Sequence, residues 1–310
     1  MNVLVYGGKG WIGAMFVLQY QKRFPDAQVV VSDTRVNSSN TKILSEEIEK
    51  ADRVVCMLGR TSGTNKDGKF INTIDYLEDH LSENVRDNLY APLCLAKLCG
   101  EKHLFYLGTG CIFSWDTTKD LARRVEEVEH PDFFGSAYSI VKGHTDDLMK
   151  LQRNVCNWRI RMPIVNYKHP KNFISKIVSY PLINNNYNSM TYLPNIIPIM
   201  VEMTSQNTVG TFNMTNPGFC SHVDILSLYA EHVDKDHTYQ LVNGEKDLNL
   251  ASKRSSNILS TDKLSKWCEE HGMILDHIHY CLVTGLKYWK FDESTAESIL
   301  DYGGYYLPSN

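Results

Sequence analysis

Apolar runs and polar-periodic stretches alternate along the first half of the chain. Asn2-Val3-Leu4-Val5-Tyr6 reads as a buried strand and passes through a glycine-rich turn into an apolar-periodic helix ending near Arg23. Similar strand-like runs follow at residues 28–32, 53–58, 103–113 and 158–162. Between them lie helical patterns over residues 42–50, 73–99 (with Asn88 inside it and Pro92 as a kink) and 136–151. Strand and helix in strict alternation predict an α/β fold with a doubly wound parallel sheet. In such sheets ligands bind beyond the carboxyl ends of the strands.

After residue 165 the pattern changes. Residues 172–178 are amphipathic, 180–192 polar and turn-rich, 194–203 helical and 210–214 strand-like, with a turn at Asn216-Pro217-Gly218. Ser221 is a candidate N-cap for a helix through His232. The chain therefore divides into a nucleotide-binding domain over residues 1–165 and a smaller substrate-binding lobe over 166–310, with room for elements to thread back onto the main sheet. Residues 116–130 are highly charged and read as a solvated connection. Two helix-like stretches, 261–271 and 278–290, precede a closing Tyr302-Gly303-Gly304-Tyr305-Tyr306 that reads as a mobile end.

Composition narrows the class. With 43% hydrophobic and 22% charged residues the balance is that of a globular protein, and a net charge of −4 gives no reason to expect nucleic acid or an anionic membrane as partner. No apolar run is long enough to span a bilayer, and the first strand begins almost at Met1, which predicts no secretory leader. The eight cysteines include no C-x-x-C pair and no zinc spacing, so reduced thiols, no metal site and a cytoplasmic location are expected.

Three motifs carry chemistry. Gly7, Gly10 and Gly13 stand as G-x-x-G-x-x-G between a strand and a helix, the setting in which glycines let the backbone approach a pyrophosphate at a helix N-terminus. The second strand ends in Asp33-Thr34-Arg35; an acid here takes adenosine ribose hydroxyls and an arginine accommodates a 2′-phosphate, so NADPH is favoured mildly through Arg35 and NADH stays open. Thr109 and Cys111, two apart at a strand end, are expected to share a face. Tyr138 and Lys142 are i and i+4 on a helix, so the cation is expected to lower the phenol's pKa and make Tyr138 a proton donor to a carbonyl oxygen receiving hydride.

With these motifs the chain resembles an extended short-chain dehydrogenase/reductase with a Rossmann-like sheet. The resemblance is nearest to the bifunctional 3,5-epimerase/4-reductases that make nucleotide-activated L-rhamnose. It is carried by Lys9-Gly10-Trp11-Ile12-Gly13, Thr109-Gly110-Cys111-Ile112-Phe113, Tyr138-Ser139 with Lys142, Arg159-Ile160-Arg161-Met162-Pro163-Ile164, Asn172-Phe173-Ile174-Ser175-Lys176-Ile177 and Phe212-Asn213-Met214-Thr215-Asn216-Pro217-Gly218. It implies a cofactor site at Gly7, Gly10, Trp11, Ile12, Gly13, Asp33, Arg35, Tyr138 and Lys142, and a reductase triad of Thr109, Tyr138 and Lys142. It further implies Cys111 and Lys176 as base and acid in epimerisation, and Arg161 and Asn172 on the substrate side. The implied substrate is UDP-4-keto-6-deoxy-D-glucose, with a dTDP-sugar open, and a homodimer is a possible assembly. Three other readings stand beside this one: a reductase in which Cys111 only packs, a GDP-L-fucose-synthase-like enzyme, and a non-catalytic regulatory subunit that keeps the fold.

Overall fold

Six parallel strands form the central sheet: β1 (Asn2–Tyr6), β2 (Gln28–Ser32), β3 (Arg53–Cys56), β4 (His103–Thr109), β5 (Val155–Ile160) and β6 (Gly210–Asn213), in the spatial order β6-β5-β4-β3-β1-β2. The computed structural model describes residues 1–117, 119–242, 248 and 250–290; the Tyr302–Tyr306 stretch therefore lies outside the described residues. Val3, Val5, Val54, Val55, Leu104 and Phe105 are almost wholly buried, as expected of strands covered on both faces. The strand order reverses between β1 and β3, which places the ligand crevice at their carboxyl ends.

Helices α1 (Trp11–Arg23), α2 (Thr41–Glu49), α3 (Leu81–Val85), α4 (Ala91–Cys99) and α5 (Ala137–Lys150) belong to the first half of the chain. The helix expected from residue 73 begins instead at Leu81. Thr73 donates its hydroxyl to Asp75 at 2.8 Å, a local bond that competes with a helical start, and residues 74–77 form one 3-10 turn. A π-turn at Arg86–Tyr90 joins α3 to α4, so the bulge lies ahead of Pro92 rather than at it.

Beyond β5 the chain leaves the sheet and returns. It builds α6 (Phe173–Val178), then α7 (Leu193–Ser205) packs on α1 and β6 pairs parallel with β5. Residues 193–213 thus complete the first lobe's sheet and its covering layer. A separate apolar cluster forms around Ile164, Ile174, Ile177, Ile225, Cys281 and Leu282, drawn largely from α6, α8 (His222–His232) and α10 (Ile278–Lys287), while α9 (Asp262–Glu270) packs on β6. Ser221 caps α8 through a full capping box with Asp224.

Candidate active site

The glycine turn is shaped for close approach. Gly7 has φ +80, a region glycine enters freely, and a Cβ on Gly13 would run into the Gly7 carbonyl oxygen. Gly10 precedes α1 with no side-chain cap, and the helix's first turn holds no acid, so its N–H groups remain available to an anion. A cleft of about 350 Å³ opens beside it, lined by Gly7, Gly8, Lys9, Asp33, Arg35 and Arg60 among others. This cradle fits a dinucleotide. The side chains of Trp11 and Ile12 turn elsewhere: Trp11 donates to the Tyr167 hydroxyl at 3.0 Å and stacks on His169, and Ile12 packs on the core. Those two residues therefore offer only backbone to a phosphate.

At the adenosine end Asp33 is paired with Lys9 at 2.5 Å, both side chains exposed. Arg35 reaches Asp87 at 3.4 Å, and Asp87 is gripped more closely by Arg60 at 2.6 Å and Arg86 at 2.8 Å. Burial pushes the Asp87 carboxyl up, but the hydrogen bonds from Arg86 and Arg60 outweigh it and hold the group below the usual carboxylate range. Glu47 anchors the end of β2 by accepting from Tyr6, Ser32 and Thr34.

Thr109 and Cys111 come together by a different route from the one their spacing suggests. The strand stops at Thr109, and the Cys111 N–H turns back to the Thr109 hydroxyl at 3.1 Å. Gly110 lies between them, and a Cβ there would meet the end of the Leu259 side chain. The Thr109 hydroxyl is near enough to the Tyr138 phenol to offset part of the rise in its pKa. Ser136 caps α5, and Ser139 donates to the Cys111 carbonyl at 2.7 Å, so helix and turn are tied side by side. Tyr138 is buried with Tyr76 and Leu77, and Cys111, part exposed, packs against the same group.

Lys142 does not act on Tyr138 as the i, i+4 spacing suggested. Its ammonium is hydrogen-bonded to the Tyr106 phenol and sits over that ring at 4.6 Å. Burial lowers the Lys142 pKa to about 8, and burial together with the nearby Cys111 pushes the Tyr138 phenol up. A phenol held above its ordinary pKa stays protonated, which suits a donor. Lys176 projects from α6 to the Asn72 carbonyl at 3.0 Å, and burial, then the charges of Lys171 and Arg254, lower its pKa to about 8.

No protein-family model matches the chain. Protein L780 of Acanthamoeba polyphaga mimivirus is 45% identical over 275 residues, covering 85% of this chain and 91% of that protein. The crystal structure of the L780 UDP-rhamnose synthase superposes with a TM-score of 0.84 at 41% identity, covering 93% of this chain and 99% of that one. The bifunctional dTDP-4-dehydrorhamnose 3,5-epimerase/dTDP-4-dehydrorhamnose reductase of Arabidopsis thaliana is 34% identical over 272 residues, 85% of this chain and 86% of that enzyme. The chain belongs to the nucleotide-rhamnose epimerase/reductases, an extended short-chain dehydrogenase/reductase family. A dTDP-4-dehydrorhamnose reductase from Clostridium acetobutylicum shares the fold at a TM-score of 0.71 and 16% identity, covering 91% of this chain and 97% of that one.

Within this family frame, the structure gives Arg161 and Asn172 supporting work, and only the Nε of Arg161 is left without a partner among the described residues. Arg161, wholly buried, donates to the carbonyls of Gly110 at 3.0 Å and Ser255 at 2.5 Å and to the side chain of Asn188. The Asn172 amide donates to the carbonyls of Val165 at 3.1 Å and Tyr167 at 2.7 Å, and its oxygen caps α6 through the Ile174 N–H. Arg161 thus fixes the Cys111 turn, and Asn172 starts the helix that carries Lys176. Sequence reasoning missed Asn257, which donates to the Gly110 carbonyl at 2.9 Å, and the pair Asp75–Arg254 at 2.6 Å.

Proposed function

We propose that this chain converts UDP-4-keto-6-deoxy-D-glucose to UDP-L-rhamnose, with Cys111 and Lys176 inverting C3 and C5 and Thr109, Tyr138 and Lys142 serving the reduction at C4. The observation that carries the reading is the grouping of a part-exposed thiol, a buried phenol and a hydroxyl at one strand end, with a lysine of depressed pKa on the segment next to them. Removing the proton on C3 or C5 leaves an enolate whose charge rests on O4, where the Thr109 and Tyr138 hydroxyls can stabilise it. The Cys111 thiolate takes that proton on one face, and Lys176 returns one on the other. When bound, the nicotinamide supplies the hydride that reduces the C4 ketone. Tyr138 gives its proton to O4, so the ketone becomes an alcohol and Tyr138 is left as a phenolate that must regain a proton before the next turnover.

The preferred cofactor is NADPH. Lys9 and Arg35 line the cleft at the adenosine end, and an exposed Lys9 already engaged with Asp33 can turn to a 2′-phosphate at little cost. Eight free thiols support a reducing compartment, the cytosol, and among the described residues no helix is long and apolar enough to cross a membrane. A homodimer would use the face where α5 lies beside the helical stretch from Leu81, since Leu81, Val85, Tyr90, Leu148 and Leu151 are all exposed there.

Incubation with UDP-4-keto-6-deoxyglucose and NADPH in deuterated water tests the proposal. The expected product is UDP-L-rhamnose carrying deuterium at C3 and C5. NADPH oxidation with neither carbon labelled would leave a plain reductase. Cys111→Ala is expected to abolish label exchange and keep cofactor binding, and Tyr138→Phe to abolish reduction and keep cofactor binding.

A further inference from the structure

Residues 72–78 touch Lys176, Tyr138, Cys111 and the start of α5. The Asn72 carbonyl accepts from Lys176 at 3.0 Å and its amide donates to the Pro170 carbonyl at 2.6 Å. Tyr76 and Leu77 pack on Tyr138 and Cys111, and Glu78 accepts from the Ala137 N–H at 2.9 Å, at the start of α5. The two ends are anchored differently. The Tyr76 end is held within the first lobe, by Glu83 at 3.0 Å and by a stack on His80 at 3.9 Å. The Asn72 end is held by residues far along the chain. There Asp75 receives Arg254 through two nitrogens, at 2.6 and 3.1 Å, and the backbone and hydroxyl of Ser252 at 3.1 and 2.9 Å.

We propose that the Asp75–Arg254 pair is a positioning latch for epimerisation, holding the Asn72 end of this segment so that Lys176 is set opposite Cys111. The inference rests on the epimerase reading above. Arg254 acts on Lys176 by charge as well as by position. The charges that act on Lys176 are Lys171 on the preceding loop and Arg254, whose ion-pair partner is Asp75, and Tyr180 lies in the field of both Arg254 and Asp75. Burial pushes the Asp75 carboxyl up, but the Arg254 hydrogen bond and charge bring it below the usual range, so it stays ionised and partly neutralises Arg254. Asp75 and Arg254 therefore pull Lys176 in opposite electrostatic directions.

That opposition supplies the test. Deuterium exchange at C3 and C5 is followed against pH in the full-length enzyme, its Arg254→Gln variant and its Asp75→Asn variant, with folding checked by Tm. Exchange needs protonated Lys176, so it declines as pH rises past the Lys176 pKa. Arg254→Gln removes a cation and is expected to move that decline upward by about half a pH unit; Asp75→Asn leaves Arg254 uncompensated and is expected to move it downward by a similar amount. Both variants should exchange about tenfold more slowly at the optimum yet reduce supplied UDP-4-keto-L-rhamnose within about threefold of the parent rate. Shifts of the same sign, or equal losses of exchange and reduction, would overturn the latch and leave the epimerase reading in place. An unlabelled product from the parent enzyme would remove that reading and the latch together.

Discussion

The Ser139 hydroxyl and the Cys111 carbonyl are 2.7 Å apart, and this bond joins the helix bearing Tyr138 to the turn bearing the Cys111 thiol. Ser139 also receives the Ser136 hydroxyl at 2.9 Å, so one buried side chain links the α5 cap to the Cys111 turn. Removing it strands a buried carbonyl and a cap hydroxyl, at about 1–3 kcal/mol. Ser139→Ala is expected to lower Tm by several degrees and to slow label exchange and reduction together, about tenfold each. Thermal melting and the deuterium assay check both, and a normal exchange rate would show that the tie does not set the thiol's position.

Gly13 tests the cradle. Its α-carbon lies against Gly7, and Gly13→Ala forces a methyl onto the Gly7 carbonyl oxygen, which is backbone and cannot swing aside. The turn must open to accept it. An overpacking cost of about 1–3 kcal/mol is expected, together with a cofactor Kd raised at least tenfold. Gly68→Ala is the control: that glycine also has positive φ, but a Cβ there meets nothing within 4 Å, so only stability should fall. Cofactor titration by fluorescence on both variants separates backbone strain from loss of the cradle.

Local signals proved readable where chemistry and secondary structure coincide. The strand, glycine turn and helix at residues 2–23, the Tyr138/Lys142 face and the Ser221 cap all depend on residues within a few positions of one another. What stayed hidden depends on partners far along the chain. Arg161 and Asn172 stand in a stretch that resembles the family, yet most of their donors are taken by groups whose positions no spacing reveals. The Asn257 bond to Gly110 crosses 147 residues. Lys142 faces Tyr106 on β4 although helix periodicity sets it with Tyr138, because the periodicity gives the face of the helix and the sheet beneath decides which group the ammonium meets.

On the proposed NADPH preference, cofactor choice turns on Lys9. Its exposed ammonium neutralises Asp33, the residue that would otherwise repel a 2′-phosphate. Lys9→Ala removes the cation and leaves the acid, so KM for NADPH is expected to rise about tenfold, the worth of one charge-assisted bond, while KM for NADH changes little. Asp33→Ala should do the reverse, weakening NADH more than NADPH. Steady-state rates with each cofactor measure both, and equal effects on the two would place the 2′-phosphate elsewhere.

Buried Lys142 should make the enzyme more active and less stable at once. Its folded pKa, about 8, lies below the ordinary lysine value, so the folded state binds the proton less well than the unfolded chain. The resulting penalty is fully present below pH 8 and is relieved as pH rises from about 8 toward about 10.4. Lys142→Met removes the penalty but leaves the Tyr106 hydroxyl without its partner, so a gain of about 1–2 kcal/mol at pH 7 is expected. Buried thiols complicate the absolute trend, because burial pushes Cys56 up to about 11 and Cys99 up to about 12, which erodes stability over the same alkaline range. The difference between parent and variant cancels that contribution. Denaturant melts of the two proteins from pH 6.5 to 9.5 should show the variant's advantage shrinking with pH while its reduction rate stays near zero throughout. An advantage constant across that range would mean that folded Lys142 keeps its proton up to pH 9.5, so that burial does not depress its pKa.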